Sequence, residues 1–365
     1  MSKPNVIAFY LPQYHPTPDN DKWWGKGFTE WTNVGKAKPL FPGHYQPKVP
    51  ADLGYYDLRL PEVREAQAEL AREAGVYGFC YYHYWFGNGK QELELPFNEV
   101  LRLGKPDFPF MLCWANESWH RKFWNKDGKG SSKEMLIEQT YPEGDAERHF
   151  YHLLPAFRDP RYIRIDGKPA FMIYKPMQYP DVAAFITKWQ DLARQNGLPG
   201  IHFIGHMQEH LNSENVERLL SLGFSALNTV GLYEARKRIL TTYSFWKTRC
   251  LHNLLGYPVR ENYLRICEAS ISEIDKMPMV YPSILPNWDH TPRSGKNGWV
   301  LTSTSPAVFK SVAKKICSLK NSDGTSQSFI FLKSWNEWGE GNYMEPDLKF
   351  HKGYITALHE ALTEI

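Results

Sequence analysis

The chain has 365 residues, and its 43 Lys and Arg nearly balance 40 Asp and Glu, so the net charge of +3 gives no general drive toward nucleic acid or another polyanion. The five cysteines, Cys80, Cys113, Cys250, Cys267 and Cys317, are odd in number, widely spaced and without a Cys-x-x-Cys pair, which predicts buried free thiols in a reducing cytosol. No apolar run approaches the roughly 20 residues of a membrane span, and the opening five residues lead straight into a strand with no signal-peptide core, so a soluble cytoplasmic protein without a transmembrane segment is expected.

Residues 6–11 are an apolar run closed by Pro12 and predict the first strand. Residues 13–57 show no helical period and are dense in Pro, Gly, Trp and Tyr, as in a long functional loop. A helix is expected over 61–74, with Pro61 in its first turn and Gly75 just past its end. The second strand, 76–82, runs into a polar and aromatic stretch through Gly89, and a helix follows over 96–103. The third strand, 108–114, leads into Ala115-Asn116-Glu117-Ser118-Trp119, then a polar loop at 128–132 and a helix over 146–157. Strands at 170–174, 201–205 and 224–227 alternate with helices at 182–195 and 215–222. Residues 231–276 break this rhythm. Arg236, Lys237, Arg238, Lys247, Arg249, Arg260 and Arg265 stand there among exposed-type aromatics, as in a helical insertion. It reads either as a solvated basic helix pair or as a lid or docking surface for a partner at the membrane. A seventh strand at 279–285, a helix at 306–319, an eighth strand at 329–332 and a closing helix at 354–362 complete the chain.

Eight short apolar strands alternating with helices predict a single (β/α)8 barrel over 1–365, with a helical insertion at 231–276 between strands six and seven. A doubly wound sheet is the alternative, but no Gly-x-Gly-x-x-Gly or Gly-x-x-x-x-Gly-Lys follows any strand. In a barrel all strand carboxyl ends share one rim. Reading them off collects Tyr14, His15, His83, Tyr84, Trp114, Asn116, Glu117, Tyr174, His206, Asn228, Trp288, Asp289, Trp335, Asn336, Glu337 and Glu340, joined by Glu30 and Trp31 from the first loop. Together they predict a polar pocket lined with rings. Aromatic residues are 15% of the chain, many beside Gly, Asn, His and Glu, which suits a ligand that is half apolar, such as a sugar. Glu337 and Glu340, three residues apart after the last strand, form a candidate acid/base pair. Their roles would be divided by surroundings, with Trp335 and Trp338 sheltering one and amides at Gly339 and Gly341 serving the other.

Other chemistries find little support. His206-Met207-Gln208-Glu209-His210 has the His-x-x-Glu-His spacing, but it leaves a strand, whereas that zinc motif requires a helix; no metal is expected. Asp19-Asn20-Asp21 lacks the context of a metal-nucleotide site, there is no Gly-x-Ser-x-Gly elbow, and no cofactor is expected.

Residues 9–15 (FYLPQYH), 23–31 (WWGKGFTEW), 44–47 (HYQP), 114–117 (WANE) and 335–341 (WNEWGEG) closely resemble the WbsX-like family, which is related to glycoside hydrolase family 99, the endo-α-mannosidases and endomannanases. The resemblance spans almost the whole chain and weakens at 231–276. It implies a (β/α)8 barrel and retaining cleavage of an α-linked sugar without a metal. Carried over by position, Glu337 would help the substrate's own 2-hydroxyl attack the anomeric carbon, and Glu340 would protonate the leaving oxygen. Family members accompany O-antigen and capsule synthesis and have been labelled glycosyltransferases. The expected substrate is therefore a bacterial surface polysaccharide (O-antigen, lipopolysaccharide or capsule) or its precursor, with peripheral association with a polysaccharide-synthesis complex. A glycosyltransferase and a carbohydrate-binding protein without turnover are the alternatives, and the missing nucleotide-binding glycine loop favours cleavage.

Overall fold

A computed structural model describes residues 3–121, 134–321 and 328–365; the expected polar loop at 128–132 lies outside them. Eight strands, β1 Asn5–Tyr10, β2 Val76–Trp85, β3 Phe110–Trp114, β4 Lys168–Ile173, β5 His202–Met207, β6 Ala226–Thr229, β7 Val280–Ile284 and β8 Phe329–Leu332, pair side by side in chain order. All eight pairings are parallel, and β1 closes the ring by bonding both β8 (Ala8 opposite Leu332) and β2 (Phe9 opposite Cys80). This is a (β/α)8 barrel. Strands buried on both faces need no polar alternation, which is why β1 and β8 read as unbroken apolar runs.

The barrel interior is packed. The Phe9 ring meets Tyr82, Phe331 and His206, on three other strands, at centroid distances of 5.4, 5.3 and 5.8 Å. Outside, amphipathic helices cover the strands. Val182–Gln195 buries Val182, Phe185, Ile186, Trp189 and Leu192 at helical spacing, with Trp189 against Phe171, and its start is capped by Asp181, which accepts from the Ala184 amide at 2.9 Å.

Three differences from expectation matter for the rim. The first loop holds two short helices, Pro18–Trp24 and Trp31–Lys36, each too short to show a period; the signal was Thr17, whose Oγ1 accepts from the Asn20 amide, followed by Pro18. β2 extends through His83, Tyr84 and Trp85, held by β3 on one side and by an antiparallel Gln91–Glu92 on the other. β5 and β6 likewise run on to Met207 and Thr229, so His206 and Asn228 stand on strands and not on loops. The insertion comprises helices Leu232–Ile239, Thr242–Leu255 and Tyr263–Ser270 with a short strand, Val259–Asn262, parallel to Trp299–Thr302. All five cysteines are free, and Cys250 differs from the others in being exposed. Among the described residues no helix is long and apolar enough to cross a membrane.

Candidate active site

A cavity of about 370 Å³ opens at the carboxyl end of the barrel, and every strand end contributes to it. The first loop supplies Gln13, Asn20, Trp23, Trp24 and Glu30; β2 supplies Tyr82 and Tyr84; the segment after β3 supplies Glu117 and Trp119. Tyr174, Gln208 and Tyr233 follow β4, β5 and β6, and Trp288, Arg293, Lys333, Glu337 and Glu340 come from the last two strands.

The two acids sit on a small hairpin. After β8, Asn336–Glu337 pairs antiparallel with Asn342–Tyr343, and Trp338–Glu340 forms the single turn between them, with Gly341 in the left-handed region (φ 59°). This hairpin is fastened from below. Asn336 Oδ1 accepts from the Leu11 amide at 2.7 Å and its Nδ2 donates to the Leu11 carbonyl at 3.0 Å. Tyr14 donates its hydroxyl to the Asn336 carbonyl at 2.5 Å and accepts from the Trp338 amide at 3.0 Å. The Asp289 amide donates to the Glu340 carbonyl at 2.6 Å, and Asp289 is itself held by His44 Nε2 (2.8 Å), Gln46 Nε2 (2.6 Å) and the Thr291 hydroxyl (2.6 Å). Burial alone would raise the Asp289 carboxyl, yet His44, Lys48 and Thr291 draw it down to about 2, so it stays an anion. Trp338 stacks on Tyr343 at 3.7 Å and donates Nε1 to the buried Glu345.

Each acid has its own cation. Lys333 Nζ lies 3.2 Å from Glu337 Oε2 and 3.2 Å from the Tyr82 hydroxyl, and the Ser334 hydroxyl donates to the same Oε2. Burial would lower the Lys333 ammonium, but Glu337 and Glu340 outweigh it and hold it above its ordinary value. Arg293 donates Nη1 to Glu340 Oε1 at 2.5 Å and grips the buried Glu30 through Nε and Nη2, both at 3.0 Å. Burial opposes its charge, yet Glu30 and Glu340 raise it further, so it remains a cation. Gly339 makes this three-way contact possible: an added Cβ would collide with Glu30 Oε1 and come within 3.0 Å of Arg293 Nε. Around the acids, burial first and Glu337 second push the Tyr82 and Tyr84 phenols well above their ordinary value; Tyr174 is raised by burial and then Glu117. All three are therefore neutral donors facing the cavity.

Of the residues expected at the rim, Glu30, Tyr84, Glu117, Tyr174, Trp288, Glu337 and Glu340 line the cavity. The others stand behind it. Tyr14, Asn336 and Asp289 anchor the hairpin, and Trp31 packs between Tyr14 and Trp338 with its Nε1 on the Tyr56 carbonyl. His83 alternates outward from Tyr82 and Tyr84 to meet His149 at 2.8 Å. Asn116 clasps the backbone of Lys175, accepting at 2.8 Å and donating at 2.9 Å, and so joins the ends of β3 and β4. His206, lowered to about 3 by burial and then Lys333, is neutral; it bonds Asn228 at 2.6 Å and stacks under Tyr174. Trp335 is buried against Phe79. The expected sheltering of an acid by Trp335 and Trp338 does not occur, because both indoles turn into the core; the rings that share the cavity with the acids include Tyr82, Tyr84, Tyr174 and Trp288. Sequence reasoning passed over Lys333, Ser334, Arg293, Tyr82 and Gln208. Lys333 carried a signal, a lysine inside a buried strand end four residues before Glu337; Arg293 carried none. Among the described residues no three His, Cys, Asp or Glu side chains gather as a metal site, and His210 is exposed, apart from His206.

The family described as Glycosyltransferase WbsX matches residues 6–358. The chain belongs to this family. Among curated proteins it is 34% identical over 371 residues to the uncharacterized protein WxcX of Xanthomonas campestris pv. campestris, in strain B100 and again in strain ATCC 33913. The match covers 98% of this chain but 49% of the relative, so this WbsX-family chain spans about half the length of the curated relatives it matches. Among solved structures, a glycoside hydrolase-like protein superposes with a TM-score of 0.64 at 14% identity, covering 99% of this chain and 94% of that one. A glycoside hydrolase family 99 endo-alpha-mannosidase from Bacteroides thetaiotaomicron does so with a TM-score of 0.57 at 16% identity, covering 99% and 96%. At these identities the likeness is one of fold, and the barrel is shared.

Proposed function

We propose that this WbsX-family chain cleaves α-linked glycosidic bonds, with retention, in a bacterial surface polysaccharide or its precursor, using Glu337 and Glu340. The observation that carries this reading is the pair itself: two carboxyls on one rigid hairpin, facing one cavity, each bonded to a separate cation. Among the described residues the bonds to Glu337 all reach Oε2, which leaves Oε1 for a substrate hydroxyl. Glu337 takes the proton of the sugar 2-hydroxyl as that oxygen bonds to the anomeric carbon and the bond to the leaving oxygen breaks. Glu340 gives its proton to the leaving oxygen, and water then opens the 1,2-anhydro ring. Arg293 has only donors and so bonds the Glu340 oxygen without the proton, which puts the acidic proton on Oε2. Trp288, Trp23 and Trp119 offer faces for sugar rings, and the neutral phenols offer donors.

The family's description favours a second reading, transfer from a nucleotide sugar. Charge argues against it. Among the described residues, Glu30, Glu117 and Glu337 face the cavity against Arg293 and Lys333, and both cations are already paired, so even with Glu340 protonated a diphosphate meets net negative charge. The same balance favours a neutral sugar over an acidic one. Incubation with O-antigen or capsule fragments, with and without nucleotide sugars, followed by product masses, tests both readings. Shorter products without nucleotide sugar are expected; growth of the acceptor only with nucleotide sugar would overturn the proposal.

A further inference from the structure

The insertion contains a helix built inside out. In Thr242–Leu255 no side chain is fully buried. The residues turned toward the body include the polar Ser244, Thr248 and His252, at intermediate exposure, whereas Tyr243, Trp246 and Leu254 are 75%, 59% and 76% exposed. Spacings of three, four and four residues through Cys250 put those apolar side chains on one outward stripe. A water-facing helix normally shows the reverse arrangement.

Charge indicates what covers the stripe. Residues 235–260 hold six Lys and Arg and no Asp or Glu, in a chain whose net charge is only +3. Some of these cations are engaged within the fold: Arg236 lies over the Trp299 ring, Arg238 donates to the Ala269 carbonyl, Lys237 lies 3.2 Å from Glu234, just before this stretch, and Arg260 lies over the Phe41 and Tyr257 rings. Lys247 and Arg249, beside the stripe, are exposed, and neither pairs with a carboxylate among the described residues. An aromatic and aliphatic stripe flanked by unneutralised cations matches the interface of an anionic bilayer, where Trp and Tyr sit at headgroup level and Lys and Arg meet lipid phosphates.

We propose that the helix Thr242–Leu255 docks this protein on an anionic phospholipid surface. The preceding helix, Leu232–Ile239, starts at the cavity, where Leu232 and Tyr233 line the wall, and its eight residues span only about 12 Å. Docking therefore brings the mouth of the cavity close to the lipid surface. The inference stands on the insertion alone and is independent of the chemistry assigned to the cavity.

Co-sedimentation of the whole chain with vesicles of phosphatidylcholine alone, or mixed with phosphatidylglycerol, tests it. Binding to the mixed vesicles alone, weakening as salt rises, is expected. Lys247→Glu with Arg249→Glu should lower partitioning by about tenfold or more, and Trp246→Ser with Leu254→Ser should lower it on both sides of the salt series. Both pairs should keep the parent melting temperature, since none of the four side chains is buried. Failure to bind the mixed vesicles, binding that neither pair of substitutions reduces, or a light-scattering dimer that Trp246→Ser dissolves would each overturn the proposal.

Discussion

The hairpin after β8 and the helix Thr242–Leu255 are opposite solutions to presenting side chains. In the hairpin nearly every residue is buried; Tyr14 and the Asp289 amide bond its backbone, and its own Asn336 side chain bonds the Leu11 backbone, so two neighbouring strand ends hold it. In the helix none is buried, and it is held by its own capping box at Thr241 and Ser244. A group that must hold a reacting atom within tenths of an ångström needs the first kind of support, because a small displacement costs rate steeply. A surface that meets a soft, laterally mobile partner gains nothing from such rigidity. Substitutions should therefore have consequences of different kinds in the two regions.

The sharpest contrast concerns the acids. Glu337→Gln and Glu340→Gln should each lower turnover about 10²–10⁴-fold while the protein stays folded. With a glycosyl fluoride, whose leaving group needs little protonation, Glu340→Gln should recover and Glu337→Gln should not; recovery of Glu337→Gln alone would exchange the roles. Arg293→Met comes next. It leaves the buried Glu30 without its cation and frees Glu340, so stability in urea should fall by about 3–5 kcal/mol together with activity. A loss of activity at unchanged stability would show that the clamp contributes nothing to the fold.

Beneath the hairpin, burial raises Glu345 to about 7 from 4.5, against the hydrogen bonds from Trp338, Gln67 and Tyr56. Because its folded-state value is the higher, the stability it contributes is fully present below about pH 4.5 and is lost as pH rises through about 7, a change of roughly 3 kcal/mol. The buried histidines are lowered instead, His83 and His206 to about 3, and slope the other way by favouring the fold as pH rises toward 6.5. The difference between wild type and Glu345→Gln across pH 4.5–7 isolates the carboxyl; a constant difference would contradict its titration in that window. Asn116→Ala, which opens the clasp on Lys175, should cost about 1–3 kcal/mol, visible in the urea midpoint and larger than its effect on KM. The smallest effect belongs to the helix. Tyr243→Ser should shift stability by less than about 0.5 kcal/mol, and a larger loss would mean that the stripe is packed against something.

Much of this molecule was legible before its structure. Unbroken apolar runs such as Val6–Tyr10 and Phe329–Leu332, alternating with periodic helices, determined a parallel sheet covered on both faces, and eight such strands without a nucleotide-binding glycine loop pointed to the barrel over the doubly wound sheet. The placement of Glu337 and Glu340 after the last strand followed from the same rule, and so did the helical character of the insertion. Tertiary structure alone decided which way each rim residue points. His83 and Tyr84 are neighbours in the chain and look alike as strand-end residues, yet one extended residue turns the side chain through the sheet, so Tyr84 faces the cavity and His83 faces His149. One of the two cations escaped sequence reasoning for a related reason. Arg293 reaches Glu30 across 263 residues and Glu340 across 47, and no local spacing encodes a contact that exists only once the barrel closes.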